Sequence, residues 1–376
     1  MTTARSLRSV PFFDYPSVFR QEEERLLAIV RDVGRRGAFI MQRDLVEFEH
    51  NLAAYVGAKY ALGVGNATDA LMLACQASDL GGGEVVFCSH TMIATAIGIH
   101  AAGCTPVAVD CGPDHLIDPA AVERALTPRT TAILPTQLNG RVGDMEALAA
   151  LADRHGLALI EDAAQALGAE FQGRRAGSFG RAAAISFYPA KVLGCLGDGG
   201  AVLTSDDAVY ERMCELRDFG RNRAGEYVRW GVNTRLDNLQ AAILNDRLAR
   251  HAAVIARRRE LAGRYQERLG GLPGLRLPPP PQPDGPHFDI YQNYEIEAED
   301  RDGLKAFLEE RGVKTLIQWN GIAVHHCRKL GFAQELPYTD AVFGRMLMLP
   351  LSLSISDDDV DYVCEQISSF CRAGSN

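Results

Sequence analysis

Apolar and polar positions alternate along this chain in two different rhythms. Residues 15 to about 36 place apolar side chains at helical spacing beside a charged face, and read as an amphipathic helix. From Lys59 onward, short apolar runs alternate with helical stretches. Residues 60–64, 84–88, 106–110, 131–134 and 158–162 read as strands. A helix begins over 69–75, and others cover 95–102, 119–126 and 144–155. Apolar strands separated by helices predict a mostly parallel sheet with helices on both faces. In such sheets ligands sit at the carboxyl ends of strands, and Asp162 stands at one of those ends.

The rhythm changes after residue 238. Residues 238 to about 269 read as one long helix rich in arginine. The run Leu277-Pro278-Pro279-Pro280-Pro281-Gln282-Pro283-Asp284-Gly285-Pro286 can neither continue a helix nor sit inside a sheet, and reads as a stiff surface connection. Beyond it, 293–296 looks like a strand and 301–311 a helix. With 376 residues, two domains are expected. Residues 1–250 would form a large α/β domain and 251–376 a smaller C-terminal α+β domain.

Composition narrows the field. Hydrophobic residues make up 47% and charged residues 23%, ordinary for a globular protein. The net charge of −9 argues against nucleic acid or an anionic membrane surface as partner. The nine cysteines are odd in number and show no CxxC spacing, which suits reduced thiols in the cytoplasm. The first residues lack the apolar core of a signal peptide, and no run is long and apolar enough to cross a bilayer.

Four motifs carry the chemistry. Gly63-Val64-Gly65-Asn66-Ala67-Thr68 follows a strand and opens a helix. It could be half of a dinucleotide fingerprint, but the third glycine is missing. The same geometry seats any phosphate on free N–H groups, with Asn66, Ala67, Thr68 and Asp69 beside it. Ile160-Glu161-Asp162-Ala163-Ala164-Gln165 ends a buried strand on an acid. Twenty-nine residues later, Ser186-Phe187-Tyr188-Pro189-Ala190-Lys191 sets a lysine among apolar and glycine residues, where its amine would lose basicity. An acid to pair with a pyridine nitrogen and a lysine to form a Schiff base suit pyridoxal 5'-phosphate, and neither has a role in hydride transfer. The fourth motif, Trp230-Gly231-Val232-Asn233-Thr234-Arg235-Leu236-Asp237, follows Arg217, Arg221, Arg223 and Arg229. That cluster is either a solvated charged loop or a basic surface for a phosphorylated substrate. No metal is expected: His325 and His326 are adjacent rather than four apart, and the other histidines are scattered.

With these motifs in order, the chain resembles the DegT-type nucleotide-sugar aminotransferases, within fold type I of the pyridoxal-phosphate enzymes. The resemblance runs from about Phe12 to Cys364. It implies an α/β fold type I PLP-dependent transferase and a homodimer sharing its active sites. It implies Lys191 as the Schiff-base lysine and Asp162 as partner of the pyridine nitrogen. Gln165 matches the contact to the cofactor's phenolic oxygen, Ser186 and the backbone at Thr68 and Asp69 match phosphate ligands, and Asn233 matches an asparagine reaching the other subunit's cofactor. The resemblance further implies glutamate or glutamine as amino donor, pyridoxamine 5'-phosphate as the intermediate cofactor form, and a keto-deoxysugar on a nucleoside diphosphate as acceptor. That acceptor would be a dTDP-, GDP- or UDP-linked 3- or 4-keto-6-deoxyhexose.

This chain departs from the family on the substrate side. An aromatic residue usually stacks on the pyridine ring; here Met92 would cover it with a thioether. Gln137-Leu138-Asn139-Gly140 stands where many members have His-Leu-Tyr-Gly, and Gln318-Trp319-Asn320 where many have His-Tyr-Pro. Candidate substrate residues are therefore Gln137, Asn139, Tyr188, Arg221, Arg229, Trp319, His325 and His326. Sugar dehydratases of the family replace the lysine with histidine, which Lys191 argues against. Two rivals stay open: a keto-cyclitol aminotransferase of the aminoglycoside type, and a cofactor-binding regulator without turnover. A nicotinamide dehydrogenase fits the motifs less well.

Overall fold

The computed structural model describes residues 8–282 and 284–374. In chain order the elements are α1 (Tyr15–Arg36), α2 (Arg43–Val56), β1 (Tyr60–Val64), α3 (Ala67–Ala77), β2 (Glu84–Cys88), α4 (Ile93–Ala101), β3 (Thr105–Val109), α5 (Pro119–Ala125) and β4 (Thr130–Leu134). Next come α6 (Met145–His155), β5 (Ala158–Asp162), β6 (Glu170–Phe171), β7 (Arg174–Arg175), β8 (Ala182–Ser186), β9 (Gly200–Thr204), α7 (Asp207–Arg217), α8 (Asn238–Leu248) and α9 (His251–Leu269). The last part holds β10 (Leu275–Arg276), β11 (His287–Phe288), β12 (Tyr294–Ala298), α10 (Arg301–Glu310), α11 (Pro337–Arg345), β13 (Met346–Leu349) and α12 (Asp357–Gly374).

Seven strands form the central sheet in the order β1-β9-β8-β5-β4-β2-β3. Only β9 runs against its neighbours, so the sheet is mostly parallel, as the alternating pattern predicts. Every position of β2, β8 and β9 is buried. Helices cover both faces, and the two apolar clusters beneath them are built around Phe48, Phe187 and Ile185 on one side and Leu71, Phe87 and Ile99 on the other. Helix starts follow their caps: Asp14, Asn66, Asp118, Asp144 and Asp206 each accept a backbone N–H with the side chain. A separate antiparallel sheet, β10-β12-β13, packs with α9, α10 and α12 around Tyr265, Ile296, Leu308 and Val363.

The long helix expected over 238–269 is two helices. The chain breaks at Ala249 and Arg250, where Arg250 takes φ −110° and ψ 3°. Tertiary contacts override the helical pattern there. Arg250 turns to bond Glu22 and Asp246, while buried His251 bonds the Leu167 carbonyl. The break lets α8 pack on α1 and α2 and sends α9 to α12. The proline run is irregular and half-exposed, with Pro279 O accepting the Tyr291 hydroxyl; Pro283 lies outside the described residues. No helix among the described residues is long and apolar enough to cross a membrane.

Candidate active site

Strand register brings the motifs together. Asp162 closes β5 and pairs with Ala184 of β8, two residues before Ser186. Ser186 pairs with Gly200 of β9, and Gly200 pairs with Val64 of β1. The Ser186 hydroxyl and the β1–α3 turn therefore lie at one end of the sheet with a glycine between them. A Cβ on Gly200 would fall 2.5 Å from the Asn66 carbonyl carbon and 2.8 Å from Ala67 N. Glycine is required there for the turn to close over the strand. At the turn, Asn66 Oδ1 accepts Asp69 N–H at 2.9 Å. Among the described residues the Ala67 and Thr68 N–H groups have no protein acceptor. The two N–H groups at a helix start, with a serine hydroxyl beside them, fit a phosphate. The Asp69 N–H is bonded within the cap, and its carboxylate accepts Thr234 Oγ1 at 2.6 Å.

Asp162 is 4% exposed. Its Oδ2 accepts Thr95 Oγ1 at 2.7 Å, and its Oδ1 accepts Ala164 N at 3.2 Å. Thr95 is held in turn by Thr91 at 2.8 Å. Burial raises the Asp162 carboxyl above its usual range, against the opposing pull of Thr95, Ala164 N and the Lys191 charge. Lys191 is the cation that acts on Asp162. Burial lowers its amine to about 8, the Asp162 carboxylate working the other way. Among the described residues no hydrogen bond is drawn to Lys191 Nζ. A buried acid and an under-solvated amine close enough to act on each other's charge, beside an anion seat, form a donor set that fits pyridoxal phosphate.

Gln165 lies just past the acid. Its Oε1 accepts Asn139 N at 2.9 Å and Asn293 Nδ2 at 3.3 Å. With the carbonyl held on that side, the Gln165 N–H₂ is the end free to face the site. Met92 caps α4 and is 53% exposed, placed past the carboxyl end of β2 at the same end of the sheet as Asp162.

A profile of the DegT/DnrJ/EryC1/StrS aminotransferase family matches residues 20–368. The chain belongs to this family. It is 40% identical over 360 residues to the dTDP-3-amino-3,4,6-trideoxy-alpha-D-glucose transaminase of Streptomyces venezuelae, with 93% of each chain covered. The UDP-2-acetamido-2-deoxy-3-oxo-D-glucuronate aminotransferase of Pseudomonas aeruginosa is 32% identical, over 96% of this chain and 100% of that one. The crystal structure of S. venezuelae DesV with a ketimine intermediate superposes with a TM-score of 0.91 at 38% identity, over 96% of this chain and 98% of that one. The protein is thus a pyridoxal-phosphate-dependent aminotransferase of fold type I.

The substrate-side residues that set this member of the family apart are not all in one place. Gln137 is fully buried: its Nε2 donates to Glu161 Oε2 at 3.1 Å and its Oε1 accepts Gly143 N at 2.8 Å. Both ends of that amide are committed to the interior. His325 is 1% exposed, wedged between Ser89 and Asp340. Trp319 and Asn320 sit in left-handed backbone at φ 48° and 56°, and Gln318 binds Asn139 Oδ1 at 2.9 Å. Asn139 therefore sits at the Gln165 corner, while the Trp319 ring packs against His90 and Phe343. Tyr188 is 52% exposed on the lysine loop. Arg221 and Arg229 lie on an exposed hairpin, paired with Asp218 and Glu215 in their own chain, and Asn233 is exposed at its base. His326 bonds Asp340 at 2.6 Å.

Two groups of described residues have metal-compatible spacing, His90/His115/Glu295 and His325/His326/Asp340. Hydrogen bonds occupy most of the ring nitrogens; His90 Nε2 is the exception, buried without a hydrogen-bond partner among the described residues, 3.7 Å from Glu295 Oε1. His115 offers Nδ1 to Glu295 at 2.8 Å and Nε2 to Glu297 at 3.0 Å, so both must carry protons. His326 Nδ1 accepts Ala323 N–H, which leaves its proton on Nε2 facing Asp340. Sequence reasoning missed Thr95, although Thr95 stands on the first turn of α4 and Thr91 four residues before it, just ahead of the helix. It also missed Gln292 and Asn293, whose role depends on a distant part of the chain.

Proposed function

We propose that the chain moves an amino group from glutamate or glutamine to the keto group of a deoxysugar carried on a nucleoside diphosphate. The pair of Asp162 and Lys191, each charge acting on the other beside the anion seat, carries this reading. The names of the relatives support a nucleotide-linked keto-sugar as acceptor.

Pyridoxal phosphate, when bound, supplies an aldehyde to take up the amino group and a ring to withdraw electrons from the reacting carbon. Ser186 and the N–H groups of Ala67 and Thr68 hold the phosphate, and Asn66 fixes that turn. The Asp162 carboxylate keeps the ring nitrogen protonated, with Thr95 aiming it. Gln165 donates to the phenolic oxygen, and Met92 covers one ring face. The Lys191 amine takes the proton from the donor's α-carbon and later delivers one to the sugar carbon. Its lowered basicity suits both tasks near neutral pH.

The active unit is a homodimer in which Asn233 of one protomer reaches the phosphate bound by the other, and Arg221 and Arg229 receive the nucleotide across the interface. Exposed apolar side chains support an extended contact: Phe19, Leu27 and Val30 on α1, Phe39 to Met41 after it, and Trp230, 98% exposed, on the arginine hairpin. Residues 1–250 and 251–376 act as two domains meeting at the α8–α9 break. Nine cysteines, odd in number and without CxxC spacing, support a reducing cytoplasm.

Purified enzyme should convert a dTDP-linked 3-keto-6-deoxyhexose to its amino sugar when given glutamate, read by mass spectrometry. The same keto-sugar without its nucleotide should react poorly. Equal turnover of a free keto-cyclitol would overturn the substrate class. Lys191→Ala should fold and lose turnover by about 1,000-fold or more.

A further inference from the structure

Residues 290–293 enter β12 along the edge of the active site, and two consecutive side chains grip two different loops of it. The Gln292 amide straddles the catalytic lysine. Its Nε2 donates to Ala190 O at 2.9 Å, and its Oε1 accepts Val192 N at 2.8 Å. These are the backbone groups on either side of Lys191. The Asn293 amide donates to Asn139 Oδ1 at 2.8 Å and to Gln165 Oε1 at 3.3 Å.

The lysine loop needs such a partner. It runs between β8 and β9 without regular structure, tied locally by Lys191 N to Tyr188 O at 2.8 Å. Half-buried N–H and C=O groups flanking the lysine would otherwise lack acceptors and donors in the protein. One primary amide satisfies both, as a neighbouring strand would.

The gripping segment is itself rigid. Gln292 is 5% exposed. Arg258, buried on α9, donates to the carbonyls of Tyr291, Gln292 and Leu351 at 2.9, 2.7 and 3.1 Å. Tyr291 is held in left-handed backbone at φ 51°. Gly140 packs so closely that a Cβ there would lie 2.6 Å from Gln292 N, and Ile290 N bonds Gly140 O at 2.9 Å. Such over-determination around a strained residue is typical of a segment that must present side chains accurately.

We propose that Gln292 is a positioning residue for Lys191 and Asn293 one for Gln165, so that the β10-β12-β13 sheet sets the register of the catalytic amine against Asp162. The proposal rests on the assignment of Lys191 above. Gln292 touches neither cofactor nor substrate and acts through the backbone of the lysine loop. Asn293 acts by fixing which end of the Gln165 amide faces the site.

The test uses holoenzyme carrying Gln292→Ala, Gln292→Glu or Asn293→Ala, with wild type and Lys191→Ala alongside. Three things are read: cofactor content, the pH midpoint of the visible cofactor band, and the single-turnover rate with glutamate. Gln292→Ala should bind cofactor fully, shift the band's pH midpoint and react about 100-fold more slowly. The glutamate concentration for half-maximal rate should change by less than about threefold. If Gln292→Ala does not fold, Gln292→Glu carries the test. Its ionised carboxylate still accepts Val192 N but opposes Ala190 O, so its rate relative to wild type should rise as the pH falls and the acid regains a proton to donate. Asn293→Ala should shift the band with a smaller loss of rate. Wild-type rates with an unmoved band in the Gln292 variants would overturn the proposal, as would losses that only track bound cofactor. Turnover by Lys191→Ala would instead sink the lysine assignment.

Discussion

Apoenzyme should combine with pyridoxal phosphate along a pH curve centred near 8. Imine formation needs the neutral amine, and an ordinary lysine becomes neutral only near pH 10.5. Burial among the 186–200 loop, opposed by Asp162, lowers Lys191 to about 8. At pH 7.5 an ordinary lysine is about 0.1% neutral, whereas an amine of that basicity is roughly a quarter neutral, a gain of about 200-fold. Stopped-flow absorbance can follow the uptake of cofactor from pH 6 to 10, corrected for the reaction of pyridoxal phosphate with free lysine. Asp162→Asn gives a second, signed test. The carboxylate raises the lysine's basicity, so its removal should move the midpoint below that of wild type. A midpoint near 10, or an upward move in Asp162→Asn, would refute the burial argument.

Other consequences follow from particular contacts. Gly200→Ala would force a methyl against Asn66 and Ala67, so cofactor should bind about 10-fold more weakly by titration while the fold is retained. Glu161 accepts N–H from Gly177, Phe179 and Gly180 as well as the Gln137 amide. Glu161→Gln would turn a donor toward donors and should cost about 2 kcal/mol in urea unfolding. His115, between Glu295 and Glu297, is raised to about 9 by those carboxylates against the cost of burial. Its folded value lies above the unfolded one, so its stabilisation is complete below about pH 6.5 and is lost as the pH rises through 9, amounting to up to about 3 kcal/mol. His115→Gln should flatten that part of the melting-temperature profile; an unchanged slope would contradict it.

Much of the fold was legible because buried parallel strands are written as uninterrupted apolar runs. Residues 84–88 and 158–162 match parallel strands to the residue, residues 60–64 match β1, which runs antiparallel to β9, and α1 matches its amphipathic stretch. The arginine-rich stretch misled because its periodicity is continuous across Arg250. The break comes from Glu22 and Leu167, which are remote in sequence. The cofactor side of the site was legible because Asp162, Ser186 and the Asn66 turn sit at strand ends, where topology alone brings them together. The substrate side was less so. Gln137 and Asn139 are two residues apart in one loop, yet one faces the core and the other the Gln165 corner, with Asn139 itself at φ 55°. Nothing in the local pattern announces such a turn of the backbone.

The most direct test of the account is the absorbance spectrum of the purified enzyme as glutamate and then a nucleotide-linked keto-sugar are added. The account predicts a visible band from lysine-bound cofactor that glutamate converts to the near-ultraviolet band of pyridoxamine phosphate. The keto-sugar nucleotide should restore the visible band, and Lys191→Ala should show neither change. A wild-type band indifferent to glutamate, to glutamine and to the sugar nucleotide would contradict it.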